Sequence, residues 1–130
     1  GHATPSGARA LIRFIREVLD EAGGAEVGID WHGHRDRGLG LANVFAAWQA
    51  GIRRFDACSG GIGGCPHAPG ASGNVATEDV AYLFASMGVP TGLEFAKLMA
   101  LREQVGRWLD GEPLHGAIWR AGLPKTIAAS

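Results

Sequence analysis

The sequence predicts an α/β fold built from parallel βαβ units, on three observations. Short apolar runs alternate with helical patterns in the order helix, strand, helix, strand, helix, helix, which is the signature of parallel strands joined by crossovers. The helix between the two strands is apolar nearly all round (Leu41, Val44, Phe45, Trp48), so it must be buried on more than one side. Each strand also ends in a polar or glycine-rich segment, and βαβ folds gather their chemistry at the carboxyl ends of strands.

Taken in order, Thr4-Pro5 opens the first helix with a hydroxyl cap and a proline at the first helical position. Leu11, Ile12, Ile15, Val18 and Leu19 recur at helical spacing, with Arg9, Arg13, Arg16, Glu17 and Asp20 between them, and Gly23-Gly24 stops the helix. Val27, Ile29 and Trp31 alternate, predicting a strand that ends at Trp31 and delivers His32 to Gly38 into a loop. A second helix spans Leu39 to Ala50 and Gly51 closes it; Trp31 and Trp48 are expected in the core. Ile52 to Ala57 is the second strand. Thr77-Glu78-Asp79 opens a third helix through Met87, with Thr77 or Asn74 near its cap, acids in its first turn and Gly88 at its end. A fourth helix covers Leu93 to Leu109. The tail from Gly111 carries Pro113, Gly116, Gly122 and Pro124 and reads as irregular with one short helix.

Composition narrows the classes. The 130 residues make one domain long enough to bury a core, 46% of them are apolar, and the formal charge is −1. A soluble globular chain is expected, with no basic excess for nucleic acid and no apolar run to span a bilayer. The opening Gly1-His2-Ala3-Thr4-Pro5 is polar and does not read as a signal peptide, and two cysteines without secretory features read as reduced thiols in a cytoplasmic setting.

Between the second strand and the third helix lies Cys58 to Asn74, CSGGIGGCPHAPGASGN, with both cysteines and six glycines. Glycine and proline exclude a regular element there, and loops longer than about 12–15 residues inside a compact domain are usually functional or disordered. The apolar strand that enters it and the helix that leaves it favour a built active-site loop. Cys65 follows Gly63-Gly64 and precedes Pro66, among backbone amides that can lower a thiol pKa or bind an oxyanion; a small apolar loop residue fits the spacing equally. Cys58, at the strand end, reads as a packing residue. Asn74 reads either as a cap or turn residue or as a carbonyl-oxygen ligand.

His32 and His34 alternate as at a strand end, which puts their Cα atoms about 6–7 Å apart on one side. Two neutral imidazoles so placed can share a metal, or be two polar loop residues near Asp30 and Asp36. Zinc would follow if Cys58 and Cys65 joined them, magnesium or manganese if oxygen ligands did. Arg35, Arg37, Arg53 and Arg54 read as solvated surface charges.

From Asp30 to about Pro124 the chain resembles hydroxymethylglutaryl-CoA lyase, within the metal-dependent TIM-barrel lyases and Claisen-condensing synthases. The most specific part is GIGGCPHAPGASGNVATED, Gly61 to Asp79, which is similar to the lyase's cysteine loop; Gly38 to Asn43, GLGLAN, is similar to the start of the family's seventh barrel helix. The resemblance implies that His32, His34 and Asn74 are ligands of a divalent cation, Mg2+ or Mn2+, and that Cys65 and His32 are catalytic, Cys65 as the acid–base group. It implies retro-Claisen cleavage of 3-hydroxy-3-methylglutaryl-CoA, or a similar 3-hydroxyacyl-CoA, to acetyl-CoA and acetoacetate. After the second histidine, Arg35-Asp36 stands where the lyase pattern has Asp-Thr. That is closer to the His-x-His-Asn-Asp pattern of isopropylmalate and homocitrate synthases, which lack the Gly-Gly-Cys-Pro loop. A condensing synthase and a non-catalytic metal- or partner-binding half-barrel are therefore the alternatives.

A (β/α)8 barrel needs eight strands and about 250 residues, and this chain supplies two. Residues 1–130 are thus expected to be the C-terminal part of a barrel: helix six, strand seven, helix seven, strand eight, helix eight and a capping tail. The family's Asp-Arg-Glu strand, source of a further ligand and a catalytic arginine, is not in the sequence. The expected partners are an acyl-CoA substrate, a second copy in a dimer, or the missing N-terminal barrel portion, with no nucleic acid and no membrane.

Overall fold

The structure is a computed structural model that describes residues 1–64 and 70–128, and the chain divides between Asp56 and Ala57 into two compact units. The first unit is a βαβ motif with a helix packed on its crossover. Helix α1 (Pro5–Glu21) starts as the sequence predicts: Thr4 is its N-cap, the Thr4 hydroxyl accepts from the Gly7 amide at 3.1 Å, and Pro5 occupies the first turn. Strand β1 (Asp30–His32), helix α2 (Gly40–Gln49) and strand β2 (Arg54–Asp56) follow. The strands are parallel, with Asp30 opposite Arg54, Trp31 opposite Phe55 and His32 opposite Asp56.

Helix α1 packs against α2. Ile12, Ala47 and Ile52 form the buried centre, with Ile29, Trp31, Ala50 and Phe55 against it. Full burial of a side chain such as Ile12 contributes about 1.5–3 kcal/mol. The opposite stripe of α1 leaves Leu11, Phe14 and Val18 exposed, a half-covered helix face of the kind a partial barrel presents.

Strand β2 is shorter than the expected Ile52 to Ala57, and both ends of β1 differ from expectation. The first strand begins at Asp30, because Arg16 on α1 binds the carbonyls of Ala25 and Val27 at 3.1 and 3.3 Å and holds that segment to the helix. It also extends to His32, so the first histidine stands on the strand itself. The tryptophans are only half-buried. Trp31 flanks the core, whereas Trp48 stacks on Phe45 and lies under the Arg53 guanidinium.

The second unit is organised around helix α3 (Thr77–Ser86), with α4 (Phe95–Trp108) and two short helices, α5 (Ala117–Ala121) and α6 (Lys125–Ala128), in a tail predicted to hold one. Val75, Ala76, Val80, Ala81, Phe84, Leu98 and Ile118 are its buried apolar residues. Cys58 bridges Ala76 in parallel fashion, its amide donating to the Val75 carbonyl and its carbonyl accepting from Thr77. That bridge settles the start of α3. Ala76 is the N-cap and makes no side-chain capping bond, so neither Thr77 nor Asn74 caps the helix. Asp79 reaches the tail instead, accepting from the amides of Ala117 and Ile118 at 3.0 Å each. No helix among the described residues is long and apolar enough to cross a membrane.

Candidate metal centre

Parallel strands bring their carboxyl ends to one edge, and at this edge the register sets His32 beside Asp56. His32 Nδ1 lies 2.8 Å from Asp56 Oδ2. A carboxylate accepts only, so the imidazole carries its proton on Nδ1 and keeps the lone pair of Nε2 for another partner. His34 repeats the arrangement more loosely, its Nδ1 3.6 Å from Asp36 Oδ2. The two rings are 5.3 Å apart between centroids, inclined at 62°. Histidines that bind metal usually turn their second nitrogen to a carboxylate or carbonyl, which holds the tautomer and raises ligand basicity. Sequence spacing brought out the two histidines but not Asp56, which becomes visible only once the strand register is known.

In the second unit, Asn74 is 6% exposed. Its Nδ2 donates to the Ile62 carbonyl at 2.7 Å and to the Cys58 sulfur at 3.1 Å. Because Ile62 O can only accept, the amide orientation is determined: nitrogen inward to the loop, oxygen away from it. Asn74 Oδ1 is buried and has no hydrogen-bond partner among the described residues. An orphaned buried acceptor is costly unless something completes it, and a hard cation suits a carbonyl oxygen. By residue type, neutral imidazoles and an amide oxygen are donors that Mg2+ or Mn2+ accepts. Among the described residues no group of three His, Cys, Asp or Glu side chains is placed to hold a metal ion.

Cys58 is a free, half-buried thiol. It does more than pack, since its sulfur is one of the anchors of the Asn74 amide. Cys65 lies outside the described residues. The residues that sequence reasoning passed over are Glu78 and Arg102. Glu78 is fully buried, accepts from Ser59 Oγ at 2.8 Å and from the Gly60 amide at 3.1 Å, and stands 3.8 Å from Arg102 Nη1. Read in the sequence, Glu78 is an acid in a helix first turn, where exposure is the norm. Of the four arginines taken as surface charges, Arg54 pairs with Asp30 in an exposed ion pair and Arg53 binds the Trp48 carbonyl.

Parallel βαβ strands with a histidine pair at their carboxyl edge are the arrangement in which α/β enzymes gather their chemistry. The chain belongs to the HMGL-like family, whose model matches residues 1–105. It is 45% identical over 122 residues, 94% of this chain and 37% of the relative, to the (R)-citramalyl-CoA lyase of Chloroflexus aurantiacus. It is 52% identical over 92 residues, 71% of this chain and 29% of the relative, to the hydroxymethylglutaryl-CoA lyase of Pseudomonas mevalonii. Among solved structures it is similar to an HMG-CoA lyase from Acinetobacter baumannii in complex with coenzyme A and 3-methylmalate. That match has a TM-score of 0.81 at 36% identity and covers 96% of this chain and 39% of the other. The chain therefore spans less than two-fifths of the length of these relatives. The relatives named are lyases rather than condensing synthases.

Proposed function

We propose that this chain carries part of the active site of a carbon–carbon lyase acting on a CoA ester, with His32, His34 and Asn74 as ligands of a divalent cation and Cys65 and His32 as catalytic residues. The observation that supports the metal reading is the buried, orphaned Asn74 Oδ1, left over while its amide nitrogen is anchored to the loop. Family membership and the named relatives support the lyase reading.

The substrate class proposed is a 3-hydroxyacyl-CoA, first of all 3-hydroxy-3-methylglutaryl-CoA, cleaved to acetyl-CoA and acetoacetate. Bound magnesium or manganese would polarise the substrate's hydroxyl and carboxylate oxygens. Asp56 fixes the tautomer of His32 and makes its Nε2 a better donor, whether that nitrogen serves the ion or accepts the hydroxyl proton. Loss of that proton lets the bond between the hydroxyl carbon and the thioester α-carbon break, leaving an acetyl thioester enolate. The thiol of Cys65 is the acid that protonates the enolate carbon. The chain is proposed to act in the cytoplasm as part of a homodimer, or together with an N-terminal barrel portion of the kind its relatives possess.

A second reading has a specific observation behind it. The citramalyl-CoA lyase aligns over 94% of this chain, against 71% for the hydroxymethylglutaryl-CoA lyase named above. Citramalyl-CoA is also a 3-hydroxyacyl-CoA, and the same bond cleavage would release pyruvate instead of acetoacetate.

The test supplies this chain with the remaining barrel portion, adds Mn2+, and offers each thioester in turn. Acetoacetate or pyruvate release identifies the substrate; no release from either, with Mn2+ bound, leaves the non-catalytic half-barrel. The 130 residues alone are expected to show no appreciable turnover, because two strands cannot close a barrel. Measured cleavage by the isolated chain would overturn that expectation.

A further inference from the structure

We propose that Glu78, braced by Arg102, is a positioning residue that presents the Asn74 amide oxygen to the cation; the inference rests on the reading of Asn74 as a ligand. The amide nitrogen of Asn74 is held chiefly by two acceptors, Cys58 Sγ at 3.1 Å and Ile62 O at 2.7 Å, with the Gly63 carbonyl a longer third at 3.5 Å. Between Cys58 and Ile62 in the chain lies one 3-10 turn, Ser59–Gly61. Whatever sets that turn sets both acceptors, and through them which end of the amide is left over.

The turn is set by a closed ring of contacts. Glu78 takes the Ser59 hydroxyl at 2.8 Å and the Gly60 amide at 3.1 Å on each carboxylate oxygen. Arg102 Nη1, 3.8 Å from Glu78 Oε2, donates to the His115 carbonyl at 2.6 Å. The His115 amide returns to the Gly60 carbonyl at 2.7 Å. Gly60 is thus gripped at its amide and at its carbonyl. Its φ of 63° lies in the left-handed region, and a Cβ there would stand 3.0 Å from Arg102 Nη1. Beyond the turn the two limbs of the loop are pressed together: a Cβ on Gly73 would lie 2.6 Å from the Gly61 carbonyl, and one on Gly63 would lie 2.6 Å from Asn74 Nδ2. Turned over, the amide would set its oxygen against the Ile62 and Gly63 carbonyls, so acceptors held in place hold the amide's orientation.

Stability alone does not call for this arrangement. A buried ion pair often contributes no more than apolar residues of equal volume, because both charges must be stripped of water. What the pair supplies is direction: a carboxylate with two acceptor oxygens at one point, facing a hydroxyl and a backbone amide.

The experiment uses the purified chain and reads two quantities. Hydrogen exchange of the Asn74 side-chain NH2, followed by NMR, is expected to accelerate about tenfold in Glu78→Gln while α4 amides keep wild-type protection. Mn2+ affinity, titrated directly, is expected to fall about tenfold or more in both Glu78→Gln and Asn74→Ala, the range found for outer-shell partners of metal ligands. Glu78→Asp, which retains the charge, is expected to recover part of each. If Asn74→Ala weakens Mn2+ while folded Glu78→Gln matches wild type in both readouts, the positioning role is overturned and the ligand reading stands. If Asn74→Ala leaves Mn2+ affinity unchanged, the ligand reading falls and this inference with it. Should Glu78→Gln not fold, Ser59→Ala removes one contact of the ring; unchanged Asn74 exchange there overturns the proposal.

Discussion

Each unit holds a carboxylate against a functional partner, and the two do it in opposite surroundings. In the first unit Asp56 meets His32 at a strand edge where both side chains are open to water, 67% and 47% exposed. In the second unit Glu78 meets Arg102, Ser59 and Gly60 with the ion pair almost wholly out of solvent, 0% and 3% exposed. The exposed pair can orient a ring but adds little to stability, since water competes for both groups. The buried pair cannot lose one member without stranding the other, and that loss is expensive. Orientation and stability are separable at His32 and joined at Glu78.

The largest effect is expected on breaking the buried pair. Arg102→Ala should destabilise the second unit by about 3–5 kcal/mol in urea unfolding followed by hydrogen exchange, because Glu78 keeps its charge without a counter-ion. A loss below about 1 kcal/mol would mean that the comparison is misdrawn. Replacing both members, Glu78→Met with Arg102→Met, should recover part of that stability, the Gly60 amide still lacking its acceptor, while releasing the Asn74 amide, so the double variant weighs folding against positioning.

In the first unit stability rests on apolar burial. Ile12→Ala should cost about 2–5 kcal/mol by the same measurement, through loss of its contacts with Ala47 and Ile52. Removing the Thr4 cap with Thr4→Ala should cost about 1 kcal/mol, read as a small drop in thermal midpoint. Asp56→Asn should be the mildest for the fold, within about 1 kcal/mol of wild type, yet weaken Mn2+ about tenfold. If Asp56→Asn leaves Mn2+ affinity unchanged, His32 needs no outer-shell partner.

Legibility followed range. The α1 cap, the α2 and α4 spans and the parallel pairing of β1 with β2 could be read because each depends on neighbours in sequence or on hydrophobic period. The displaced start of β1 could not, since it depends on Arg16, nine residues from Ala25, turning back to take two carbonyls. His32, His34 and Asn74 stood out by residue type, and the cysteine loop by its resemblance. The partners that give them direction, Asp56 and Glu78, look in sequence like any strand-end aspartate or first-turn glutamate.

By itself the sequence determined an α/β chain with parallel strands and its kinship with a lyase family, and it offered candidate ligands for a divalent cation, because these follow from period, residue chemistry and order along the chain. Only the tertiary structure decided that Asp56 holds the His32 tautomer, that Asn74 caps no helix and buries an oxygen without a partner among the described residues, and that Glu78 is buried beneath the loop. Those facts depend on strand register and on contacts closing over many residues, and neither leaves a periodic mark in the sequence.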